Sequence, residues 1–175
     1  MSGLDLKADC SRCAALCCMA FEFEPSPDFA ISKPAGAGCT HLNAEFGCKI
    51  HADRLAKGFA GCLKFDCLGA GQRVSQDVFK GADWRVDPTL GPRMIEAFRI
   101  LREVHRLYEL LDVAGRLPLG ADQERQRQDL IARLDPGTAW TEPDLLRLDE
   151  RALQSAVTGF LSALKDVVKT GATQG

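Results

Sequence analysis

The clearest periodicity lies in the second half of the chain. From Arg93 to about Gly115, Met94, Phe98, Leu101, His105, Tyr108 and Leu111 recur at three and four, and Ile95, Val104, Leu107 and Leu110 widen the same face. This spacing predicts an amphipathic helix. Pro88 and Pro92 punctuate its entry, and Gly115 and Pro118 its exit. Residues 121–134 predict a second, more polar helix, anchored by Leu130, Ile131 and Leu134 and so packed at the periphery. Asp135-Pro136-Gly137 stops it. Thr141 with Asp144 three residues on reads as a new helix start, with a break near Leu148-Asp149. A last helix is predicted to about Lys169, with Leu153, Val157, Phe160, Leu161, Leu164, Val167 and Val168 on one face, and a frayed tail from Gly171. His105 falls on a buried stripe, where an imidazole reads as a core residue with its hydrogen bond satisfied.

The first seventy residues carry no such rhythm. Phe21, Phe23, Phe29, Ile31, Phe46, Ile50, Phe59 and Phe65 are scattered among Pro25, Pro27, Pro34 and glycines at 36, 38, 47, 58 and 61. An apolar set this thin does not hold a region together without staples. The staples are visible. All eight cysteines of the chain fall between Cys10 and Cys67, spaced as Cys10-x2-Cys13-x3-Cys17-Cys18, Cys39-x8-Cys48 and Cys62-x4-Cys67.

Two chemistries could use them. Eight is an even number, as disulfides require. The opening residues show no apolar stretch of a secretory signal, which predicts a reducing, cytoplasmic setting where structural disulfides are rare. The Cys17-Cys18 pair and the short Cys10-x2-Cys13 loop also favour thiolates converging on an ion. Soft thiolates select zinc, copper(I) or iron–sulfur clusters. The ferredoxin run is absent, and Ala20 stands where the radical-SAM spacing needs a cysteine. His41 and His51 follow Cys39 and Cys48 closely; either would complete a site that lacks a thiol, and both otherwise read as neighbours of the ligands. Asp66 reads as a solvated carboxylate. Gly69-Ala70-Gly71-Gln72-Arg73-Val74-Ser75 lacks the Gly-Lys-Ser/Thr ending of a phosphate loop and reads as a hinge.

The order Cys-x2-Cys…Cys-Cys, then Cys39-Thr40-His41-Leu42, Cys48-Lys49-Ile50 and Cys62-Leu63-Lys64-Phe65-Asp66-Cys67, resembles the bacterial zinc- or iron-chelating cysteine-cluster domain family. That family includes the cysteine-rich part of flagellin lysine N-methylases. The resemblance covers about residues 8–70. It departs from the family pattern at Ala14-Ala15-Leu16, three residues where two are common, and at Gly58-Phe59-Ala60-Gly61, where an Arg-Pro is usual. It implies metal binding through the cysteines and does not extend to a methylase body.

Together these readings predict a mainly α protein: an irregular, cysteine-rich, metal-stapled region over 1–72, a linker over 73–92 that packs on the body through Trp84, and a bundle of three to four helices over 93–170. The expected metal ligands are Cys10, Cys13, Cys17, Cys18, Cys39, Cys48, Cys62 and Cys67, with His41 and His51 in reserve, holding zinc or an iron–sulfur cluster. The expected role is a structural or interaction module, with a protein partner met through the helices. The alternatives are an iron–sulfur redox or protein-modifying enzyme, and copper(I) or zinc buffering. A net charge of −2 supplies no basic excess for a nucleic-acid partner. No run of about 18 apolar residues exists to span a membrane. No acid–base or nucleophilic constellation is readable from three histidines.

Overall fold

The computed structural model describes residues 4–164. Among them it is mainly helical. A single 3-10 turn, Cys10–Arg12, precedes α1 (Leu16–Ala20), α2 (Gly61–Lys64), α3 (Ala70–Arg73), α4 (Leu90–Ala114), α5 (Ala121–Leu134), α6 (Glu142–Leu146) and α7 (Glu150–Ala163). No strand forms among the described residues; pairing is confined to the isolated bridges Phe23–Lys33, Ser26–Phe29 and Leu42–Cys48.

The long helix α4 is the axis. It begins at Leu90, three residues before the expected Arg93. Pro92 does not prevent this, because an amide in the first helical turn has no partner to lose. Met94, Ala97, Phe98, Leu101, Val104, Leu107 and Leu111 are all essentially inaccessible. Ile100 is buried as well, outside the stripe read from periodicity. The reason is that α4 is wrapped by α1, α3, α5, α6 and α7. A helix so enclosed is apolar on more than one face.

The remaining helices form where local chemistry starts and stops them. Gln123 reaches back to the Gly120 amide at the start of α5, whose Leu130 and Leu134 are buried and whose exposed face is charged. Thr141 caps α6 in a reciprocal pair with Asp144. Asp149 accepts from the Ala152 amide at 3.0 Å and starts α7 after the break. Helix α7 buries Leu153, Val157 and Phe160. Val167, Val168, Lys169 and the tail from Gly171 lie outside the described residues.

The segment read as a hinge is instead part of the core. Ala70–Arg73 is helical and runs directly into a π-helical turn over Val74–Val78, so helix occupies the start of the stretch read as linker. Ala70, Gly71, Gln72, Val74 and Ser75 are buried. Glycine at 69 and 71 suggested flexibility, but the two residues do different jobs. Gly69 takes a positive φ of 75° to enter α3, and Gly71 lets another chain segment approach closely. Ser75 donates to the Gly71 carbonyl and accepts from the Ala14 amide, both at 2.8 Å, tying α3 to the segment before α1.

One apolar cluster joins Ala14, Leu16 and Met19 of the front region to Met94, Phe98 and Leu101 of α4. Trp84 donates its indole N–H to the Ala14 carbonyl at 2.8 Å and packs against Phe46 at 5.8 Å. Phe21 and Phe65 meet Phe98 edge-on or tilted, at 6.2 and 6.5 Å. Ala15 adopts a left-handed conformation, φ 55°, immediately before α1. That turn redirects the chain so that the five-residue α1 can lie on α4.

Candidate metal centre

All eight cysteines are among the described residues and none is disulfide-bonded. Cys10 and Cys13 bracket the 3-10 turn, which Asp9 caps by accepting from the Ser11 amide. Cys17 and Cys18 are consecutive on α1, their Sγ atoms 4.0 Å apart. Cys39 and Cys48 sit on a looped segment closed by the Leu42–Cys48 bridge. Cys62 lies on α2, and Cys67 lies three residues before α3.

Four of these side chains border one cavity. Cys10, Cys13, Cys17 and Cys67 line one cavity of about 20 Å³, with Gly71 beneath and Phe98 at its wall. A Cβ on Gly71 would stand 2.7 Å from Cys13 Sγ and 3.8 Å from Cys67 Sγ. Those two sulfurs therefore converge on a place that only glycine leaves clear. Among the described residues, no three His, Cys, Asp or Glu side chains are drawn close enough to form a closed ligand set. The thiols are gathered, but not clenched.

The electrostatics agree with crowded, protonated sulfur. Burial pushes the Cys13 thiol up to about 11. Cys17 is raised further, first by its contact with Cys18 and then by burial. Burial raises Cys10, with Cys17 and Cys67 adding to it. Cys62 is raised by burial and by the neighbouring Cys17, Cys39 and Cys48 thiols. Without a cation to offset them, thiolates so placed repel one another and hold their protons. A bound soft ion reverses that balance, because it binds the deprotonated form.

Two histidines named from the sequence occupy different surroundings. His41 stands edge-on to Phe59, ring centroids 5.0 Å apart, beside the stacked pair Phe23 and Phe29. His51 is exposed, and its carbonyl accepts from Arg54 Nε at 2.9 Å. The Asp66 carboxylate is also exposed, and accepts from the Leu68 amide at 2.8 Å.

Lys33, Arg54 and Arg102 carried no sequence signal, whereas His105 is the buried, hydrogen-bonded core residue that its place on the stripe predicted. Lys33 is 4% exposed, and its ammonium donates to the carbonyls of Met19, Pro34 and Ala37 at 3.2, 2.9 and 2.9 Å. Burial lowers its pKa, while Cys39 and Cys18, both near it, act to raise it. Arg54 Nη1 reaches the Cys62 carbonyl at 3.4 Å. From α4, Arg102 Nε donates to the Asp66 carbonyl at 3.0 Å, and His105 Nδ1 is hydrogen-bonded to the Leu68 carbonyl at 2.5 Å. Both carbonyls flank Cys67, so the long helix fixes the backbone on either side of that thiol. The Leu68 bond makes Nδ1 the protonated nitrogen of a neutral ring, whose pKa burial pulls down to about 4.

A larger cleft, about 580 Å³, shares Phe98 with that cavity. It is lined by Phe21, Phe98, Arg99, Arg102, Glu150 and Arg151, among others. Phe98 thus borders both the cysteine cavity and this groove.

Fold and site together define a helical protein whose cysteine-rich front is packed on a long central helix. No family model matches the chain, and no solved structure matches it. The chain is similar to the uncharacterized protein YybG of Bacillus subtilis (strain 168), 32% identical over 168 residues. That match takes in 96% of this chain and 60% of the relative, so the chain spans less than two thirds of the relative's length. No helix among the described residues is long and apolar enough to cross a membrane.

Proposed function

We propose that this chain is a metal-binding module whose cysteine thiolates hold zinc or an iron–sulfur centre, and that the ion organises the front region for a structural or interaction role. The observation that carries this reading is the convergence of Cys10, Cys13, Cys17 and Cys67 on one small cavity over a bare Gly71. The donor set fits a soft cation. It is all sulfur, none of it is consumed in disulfides, and its fold position leaves most of it half-buried. The resemblance of the cysteine spacing to the zinc- or iron-chelating cysteine-cluster family supports the same reading. No strand or helix orders the described residues 21–60, and thiolate–metal bonds would supply what their apolar contacts do not.

The test is elemental analysis with visible absorption spectroscopy on protein purified anaerobically. Colourless protein with tightly held zinc supports the structural module. Metal-free protein carrying four disulfides by mass spectrometry removes the proposal.

A second reading, an iron–sulfur redox or protein-modifying enzyme, is favoured by one feature. The groove shares Phe98 with the cysteine cavity, so a molecule bound there would lie against a residue that also lines the thiols' cavity. Visible cluster absorption in the same preparation supports it, and its absence from metal-loaded protein excludes it.

A further inference from the structure

We infer that the eight cysteines form two ligand sets, Cys10, Cys13, Cys17 and Cys67 against the helical body and Cys18, Cys39, Cys48 and Cys62 in the loops, with the consecutive Cys17 and Cys18 serving different ions. This rests on the metal-binding reading and adds the number and composition of its sites.

The first set is the one that lines the shared cavity. Each of its members is fastened to the body. The Ala14 amide next to Cys13 donates to Ser75, and the Asp9 amide next to Cys10 donates to Gln72 Oε1 at 3.1 Å. Gln72 in turn donates to the Lys7 carbonyl at 2.7 Å. Cys67 is held between the carbonyls that Arg102 and His105 engage. Cys17 comes in from α1, which packs on α4.

The second set is built by the loops. The Cys39 amide donates to the Cys18 carbonyl at 3.1 Å, bringing that loop onto the end of α1. The Leu42 amide donates to the Cys39 carbonyl at 3.0 Å, and Leu42 bridges to Cys48, which folds Cys39 and Cys48 into one turn. Cys62 is tied to that turn through Arg54, which donates to the Cys62 carbonyl at 3.4 Å and to the His51 carbonyl at 2.9 Å, while the His51 amide donates to the Cys48 carbonyl at 3.2 Å. Cys17, next to Cys18 on α1, stands on the seam between the sets. Its place in the shared cavity assigns it to the first.

Counting favours this division. Soft-ion sites of the structural kind close with four ligands, and eight thiols make two. Two cations stand beside the loop set. Lys33 donates to the carbonyl of Met19, next to Cys18, and to that of Ala37, two residues before Cys39. Arg54 donates to the Cys62 carbonyl.

The test uses the full chain, stripped of metal, reduced, and reconstituted with zinc. Zinc retained after gel filtration is counted, with helicity followed by circular dichroism. Wild type is expected to hold two ions. C13S/C67S and C48S/C62S should each hold one, and C17S/C18S neither. Wild type titrated with substoichiometric zinc is also alkylated and mapped by mass spectrometry, which needs no variant to fold. Protection should then appear in two blocks of four with the stated membership. One ion per chain, loss of both ions from a folded same-set variant, or protection blocks that mix the sets would overturn the division while leaving metal binding standing. A wild type that retains no zinc and has all eight thiols alkylated would overturn the metal reading, and the division with it.

Discussion

Lys33 shows how much a single buried charge can be asked to do. Its ammonium is withdrawn from water and donates to three main-chain carbonyls, so the desolvation cost is offset by charge-assisted hydrogen bonds. Replacing it with methionine keeps the stem and leaves those carbonyls unpaired. Lys33→Met should lower stability by roughly 2–4 kcal/mol, read as a lower denaturation midpoint in urea. Gly71 is the opposite case, a residue defined by what it lacks. Gly71→Ala would force a methyl against Cys13 Sγ. The cost should be about 1–3 kcal/mol of overpacking, with zinc affinity at that cavity weakened; Gly159→Ala, which meets nothing within 4 Å, serves as the control. His105 gives a pH signature. Its folded pKa near 4 lies below the 6.5 of an exposed imidazole, so the unfolded chain binds the extra proton between those values. Its contribution is complete above pH 6.5 and is lost as pH falls towards 4, by about 3 kcal/mol in full. Denaturation measured across that window should show a steeper decline for wild type than for His105→Gln.

At the scale of elements, α4 sets the arrangement and short-range chemistry trims it. Arg99 on α4 forms a two-pronged ion pair with Glu150 on α7 at 2.7 and 2.9 Å while also holding Glu96. These groups are partly solvated, so Arg99→Ala should cost about 0.5–1 kcal/mol, an effect that shrinks in high salt. Phe98→Ala removes a side chain that borders both the groove and the cysteine cavity as well as a core anchor. It should cost about 3–5 kcal/mol in thermal denaturation. The helices were legible because their signals are local: the Met94–Leu111 repeat, the Thr141–Asp144 cap, the break before Glu150. The helix over Ala70–Arg73 was not. A Gly-Ala-Gly opening looks like a hinge until one knows that Cys13 presses on Gly71, a contact 58 positions away in sequence. Non-local contacts of this kind leave no trace in periodicity.

For the whole molecule, the cysteines were legible as candidates and their grouping was not. Cys10-x2-Cys13 announces a turn, but nothing in the spacing says that Cys67 joins it, because α3 and α4 bring that thiol back. Lys33, between Ser32 and Pro34, reads as an ordinary surface lysine until three carbonyls are seen to enclose it. The Leu16–Met19 face of α1 shares one apolar cluster with α4 and α7, so front and body are not independent bodies of structure. Disturbance at the cysteines should therefore be felt in the helices. Hydrogen exchange measured with and without a zinc chelator is expected to show lost protection in α1 and the N-terminal half of α4, and little change in α5.

Helix α1 has barely one turn and a half, and two sulfurs ride on it side by side. So short a rod pivots as a unit: tilting it to bring one sulfur inward swings the other by a comparable arc. Whatever captures either atom therefore presets the reach of its neighbour, and the second site should fill with an affinity unlike the first, seen as two separate steps in a zinc titration.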